Sequence, residues 1–147
     1  NMKKEFEQFI NDTFNKSLEE LSDLLSEREP YKSFIDKIMA DIEICYDLGK
    51  ESLFEHIKEL EEKNPTKDDF KDLFLKANNE FILQIIIPHF RLRLLEESMK
   101  INENVVDEEI IEKRIRDIKD VFSGTLDTHG LFTSPILEIS KNYEKFL

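Results

Sequence analysis

Apolar residues recur every three or four positions along most of the chain, a spacing typical of amphipathic helices. The pattern is clearest near the N-terminus, where the apolar residues share one helix face: Phe6, Phe9, Ile10, Phe14, Leu18, Leu21, Leu24 and Leu25. Only 3 glycines and 4 prolines interrupt the 147 residues, and no stretch alternates long enough to indicate a strand. The spacing therefore predicts an all-α fold.

Prolines and glycines divide this pattern into six predicted helices. Pro30 ends the first, because the residue before a proline is disfavoured in helical conformation, and Gly49 is expected to end the second. The six are expected at about 3–28, 31–47, 51–63, 66–100, 107–122 and 135–147. We expect residues 1–147 to form one helical domain, in which Asn1 is a remnant of a purification tag.

The fourth predicted helix, at about 66–100, is expected to be the long, kinked centre of the bundle. Between Phe81 and Leu95 it is apolar nearly all round, which indicates a helix surrounded by others. Pro88 lacks an N–H donor and crowds the carbonyl of Gln84, so a kink or a break is expected there.

Two of the predicted helices begin with capping signatures. Thr66 is followed three residues later by Asp69, the spacing of a capping box. Ser134 supplies a hydroxyl before Pro135, which suits the first position of a helix. Both patterns predict where a helix starts.

Charge and cysteine content restrict the classes of partner and compartment. A net charge of −12 disfavours binding to nucleic acid or to an anionic membrane. The apolar stretch 81–95 is too short and too charged to span a bilayer. Cys45 is the single cysteine, so no intrachain disulfide can form, and a cytoplasmic protein is expected. Its position on an apolar stripe predicts a small buried side chain.

No pattern of catalytic or metal-binding residues is complete. Di-iron bundles require Glu-x-x-His on facing helices, and no histidine of this chain follows a glutamate by three residues. The loop 127–130 mixes Asp, Thr, His and Gly, which are also ordinary turn residues. We therefore expect no enzyme, no metal and no cofactor.

His89 is the one candidate for cofactor binding, because it follows Pro88 inside the most apolar helix. A buried histidine there could ligate haem or respond to pH. The alternative is a ring that packs and satisfies one nitrogen on a neighbouring group.

The first predicted helix supplies the candidate interaction residues, which form a near-heptad stripe: Phe6, Phe9, Phe14, Leu18 and Leu21. Such a stripe can pack within its own chain or against a second one, and both remain open. We expect a non-enzymatic regulatory or protein–protein interaction domain that self-associates, for example as a homodimer. The alternative is a small-molecule or globin-like haem sensor that uses His89.

Overall fold

The computed structural model describes residues 2–27, 35–89 and 134–147, with the single residues Leu92, Glu109 and Lys113. Four α-helices lie in these segments: α1 (Lys4–Ser26), α2 (Ile35–Glu61), α3 (Lys67–Glu80) and α4 (Pro135–Asn142). A π-helical segment, Phe81–Ile86, continues α3, and a 3-10 turn, Tyr143–Phe146, follows α4. The all-α prediction is confirmed for the described part of the chain, which contains no strand.

Some sequence predictions fall outside the described residues. They concern the helix at 107–122, most of the fourth helix beyond residue 89, and the loop 127–130. The count of six helices is not confirmed, and the two helices expected at 31–47 and 51–63 form one helix, α2.

The four helices enclose one apolar core. Helices α2 and α4 each contact both α1 and α3, and the π-helical segment packs on α2. Phenylalanine rings fill much of the interior, including those of Phe6, Phe14, Phe70, Phe74 and Phe81. Burial of each such side chain contributes about 1.5–3 kcal/mol, so the core, more than helix propensity, holds the elements in place.

Helix α2 corrects one prediction, since it runs unbroken through Gly49, where a helix end and a new helix at residue 51 were expected. The reason lies in packing. A Cβ atom at position 49 would stand 2.6 Å from the ring of Phe81. Glycine costs about 1 kcal/mol in a helix interior, and the close approach of the π-helical segment offsets that cost. The chain breaks at residues 64–66 as predicted, and Asn64 takes a φ of 50°.

The backbone hydrogen bonds change from α-helical to π-helical register after α3, just before Pro88. The N–H of Ile87 bonds to the carbonyl of Ile82, five residues back. Phe81 and Ile86, also five apart, are both buried, as expected when π-helical register places such residues on one face. A six-residue π-helical segment thus precedes Pro88, and the kink or break expected at Pro88 itself stays a prediction.

Both predicted helix starts are in the expected places, although only one has the expected bonds. The backbone N–H of Asp69 bonds to Thr66 Oγ1 at 3.2 Å, and that of Thr66 bonds to Asp69 Oδ2 at 2.8 Å. The capping box is therefore confirmed. Pro135 begins α4 as predicted, but the capping role of Ser134 is wrong, because its buried hydroxyl makes no hydrogen bond.

Candidate interaction surface

The stripe of α1 lies mostly inside the protein. Phe6, Phe14 and Leu21 are buried in the core, and Leu18 is partly buried against it. Phe9 is also partly covered, by the ring of Phe146 at a centroid distance of 4.8 Å. In this arrangement the stripe contacts its own chain, and binding of a second chain by these residues stays a prediction.

His89, three residues after the π-helical segment, contacts α2. Its Nε2 lies 2.9 Å from Oδ1 of Asp41, a carboxylate that is only 1% exposed. The two atoms lie within hydrogen-bond distance, so this contact satisfies one ring nitrogen of His89. This nitrogen is thus bonded to a buried acid, and cofactor binding by His89 stays a prediction.

Cys45 lies one turn beyond Asp41 and is buried as predicted. Burial, and to a smaller extent the nearby Asp41, together raise the pKa of its thiol from 9.0 to about 12. A nucleophilic cysteine needs a lowered pKa. The structure therefore gives this thiol no catalytic character.

A second histidine, His56, connects α2 to the last residue of α3. His56 Nε2 lies 3.1 Å from Glu80 Oε2, and both side chains are partly exposed. The sequence predicted neither this pair nor the one at His89, because the partners are separated by 24 and 48 residues. Within the described segments, no group of three or more His, Cys, Asp or Glu side chains is placed to hold a metal ion.

Two grooves open between helices. One, of about 540 Å³, lies between α1 and α4, and the other, of about 230 Å³, lies between α1 and α2. Acidic and basic side chains alternate along the larger groove, and two of them, Lys16 and Glu20, approach each other to 3.9 Å. Neither groove presents the convergent charge that would select a ligand class.

The outward side of α2 exposes two large aliphatic side chains that were not among the predicted interaction residues. Ile44 and Leu48, one turn apart, are each 49% exposed. Exposed Lys37 and Ala40 precede them on the helix, and exposed Glu55 follows. We call the surface formed by Lys37, Ala40, Ile44, Leu48, Ser52 and Glu55 the α2 outer face. The sequence already contained this feature, since Ile44 and Leu48 are four residues apart and fall outside the apolar stripe that contains Cys45.

Comparison with protein-family models, curated proteins and solved structures finds no match to this chain. None of the helices in the described segments is long and apolar enough to cross a membrane.

Proposed function

We propose that the chain is a non-enzymatic regulatory or protein-interaction domain that docks a partner through the α2 outer face. One observation carries the proposal: Ile44 and Leu48 are adjacent on a helix surface and half exposed. Single exposed aliphatic residues are common on soluble proteins, whereas contiguous exposed apolar patches with a polar rim mark interaction sites, and the facing pair Ile44 and Leu48 is the start of such a patch.

The proposal also retains the wider expectations from the sequence. These are one helical bundle around a long, kinked helix at 66–100, and a cytoplasmic location in which Cys45 stays reduced. They also include a protein partner, in place of nucleic acid or membrane, for a chain with a net charge of −12. The haem or small-molecule sensor at His89 gains no support from a ring nitrogen that is bonded to Asp41.

Site-specific photo-cross-linking tests the proposal. A photoreactive residue replaces Leu48 in one variant and Leu75, which is 44% exposed on α3, in the matched control. We expect a discrete cross-linked product from position 48, identified by mass spectrometry, and none from position 75. The yield of this product should fall when the photoreactive variant also carries Ile44→Asp. The absence of a product from position 48, or equal products from both positions, would contradict the proposal.

A further inference from the structure

Three pairs of residues on the α2 outer face lie at equal distances on either side of position 46, whereas exposed Glu51 on the same side of the helix has the buried Asp41 as its counterpart. Ile44 and Leu48 lie two residues on either side of position 46, Ala40 and Ser52 six, and Lys37 and Glu55 nine. With 3.6 residues per turn, positions 37, 44, 48 and 55 fall within about 40° of one another around the helix axis. Tyr46 itself is buried, so the centre of this symmetry on the outward surface lies between Ile44 and Leu48.

We infer that the partner of this face is a second copy of the same chain, with the two α2 helices antiparallel about a twofold axis. The inference rests on the proposed function and identifies the occupant of the same surface. In a twofold interface, contacts occur in reciprocal pairs. Ile44 of each copy meets Leu48 of the other, and each Lys37 lies opposite a Glu55.

Charge selects the antiparallel arrangement over the parallel one. Two parallel copies in register would place Lys37 against Lys37 and Glu55 against Glu55, and like charges across an interface are unfavourable. Antiparallel copies place opposite charges together at both ends of the α2 outer face. Lys37 also interacts within its own chain, so Glu55 of the second copy is an additional partner for its ammonium group.

The small residues and the buried acid fit the same arrangement. Ala40 of one copy faces Ser52 of the other, and small side chains at a helix crossing let the two backbones approach closely. Position 41 lies opposite Glu51, but the Asp41 carboxylate is buried and bonded to His89, so two exposed carboxylates do not meet there. The aliphatic contact is limited and each copy carries a charge of −12, so the dimer is weak and reversible.

Sedimentation equilibrium over a wide concentration range at physiological salt tests the dimer. We expect a monomer–dimer equilibrium that Ile44→Asp weakens by at least about tenfold, since the twofold axis removes two contacts at once. Leu75→Asp, on another exposed surface, should change it by less than about twofold. Thermal melting checks that each variant monomer stays folded.

A charge exchange tests the antiparallel register. Lys37→Glu and Glu55→Lys should each weaken the dimer, and the double variant should restore it, because each restored pair again joins opposite charges. In a mixture of Ala40→Cys and Ser52→Cys chains, the mixed disulfide should form faster than either homodimeric one. Failure of the double variant to restore association, or preferred homodimeric disulfides, would overturn this geometry.

The outcomes separate this inference from the proposed function. A wild-type chain that stays monomeric, with position 48 cross-linked to a different protein, would overturn the homodimer and leave the interaction surface intact. A monomer with no product at position 48 would overturn both.

Discussion

Buried ionisable groups on α2 have structural roles at the level of single residues. Asp41 is almost fully buried, and its carboxylate lies within hydrogen-bond distance of His89. A buried polar group needs such a partner, and this bond connects α2 to the residues that follow the π-helical segment. Cys45, one turn away, has a pKa raised to about 12, chiefly by burial and also by Asp41. The bond between Asp41 and His89 therefore stabilises the contact between α2 and the residues after the π-helical segment. The raised pKa keeps the Cys45 thiol protonated.

Raised pKa values at α2 predict a loss of stability at alkaline pH. The Cys45 thiol has a pKa of about 12 in the folded chain against 9.0 ordinarily, so above about pH 9 only the unfolded chain releases this proton. Its stabilising effect is complete below that pH and is lost as pH rises toward 12. Burial also raises the pKa of Tyr46, which acts in the same direction.

Urea unfolding at about pH 8 and pH 10.5 measures this effect. The wild-type chain should lose stability between the two values, and Cys45→Ala, although less stable throughout, should lose less. An equal loss in both chains would show that the thiol is not responsible.

At the level of elements, the contact between α2 and the π-helical segment determines how the helices are divided. Gly49 lies inside α2 because the ring of Phe81 occupies the space of a side chain at that position. The π-helical register then brings Ile86 onto the same buried face as Phe81. Each of these features depends on the other element, so neither is a local property of its own sequence.

Gly49→Ala is expected to destabilise the protein, although alanine is the better helix former. The substitution gains about 1 kcal/mol of helix propensity, but overpacking against a ring 2.6 Å away costs about 1–3 kcal/mol. A net loss of up to about 2 kcal/mol should lower the melting temperature by several degrees.

The exposed position Glu51→Ala provides the control for helix propensity and should change the melting temperature little. Phe81→Leu added to Gly49→Ala should recover part of the loss, because the two sites share one contact. A Gly49→Ala variant more stable than the wild type would show that the ring moves aside without cost.

In the whole molecule, aromatic contacts bring the two ends of the described chain together. The Phe146 ring stacks on Phe6 and Phe9, at centroid distances of 5.5 and 4.8 Å. The hydroxyl of Tyr143 donates a hydrogen bond to the carbonyl of Lys67 at 2.9 Å. The last residues thus contact both α1 and the start of α3, which closes the core at that end.

Phe146→Ala is therefore expected to destabilise the whole bundle. The partly buried ring contacts two others, and its removal should cost about 1–3 kcal/mol in the free energy of unfolding measured with urea. The neighbouring Leu147 is 46% exposed, so Leu147→Ala should change that energy by less than about 0.5 kcal/mol. Equal effects of the two substitutions would indicate that the terminal turn does not hold the core.

Features with local causes were predictable from the sequence. The apolar spacing of residues 6–25 corresponds to α1, the capping box at Thr66 begins α3, and Pro135 begins α4. In each case the signal and the structure lie within a few residues of each other, because helix periodicity and capping depend on neighbours along the chain. The same local rules failed at Gly49, where a ring 32 residues away determines the conformation.

The sequence by itself determined the helical class, several helix boundaries and the burial of Cys45. Only the tertiary structure decided that α1 covers its stripe within the chain, that His89 bonds to Asp41, and that Ile44 and Leu48 face outward. The physical reason is that periodicity identifies which face of a helix is apolar but not what covers it. Side chains far apart in the sequence become partners, or remain exposed, only when the helices pack.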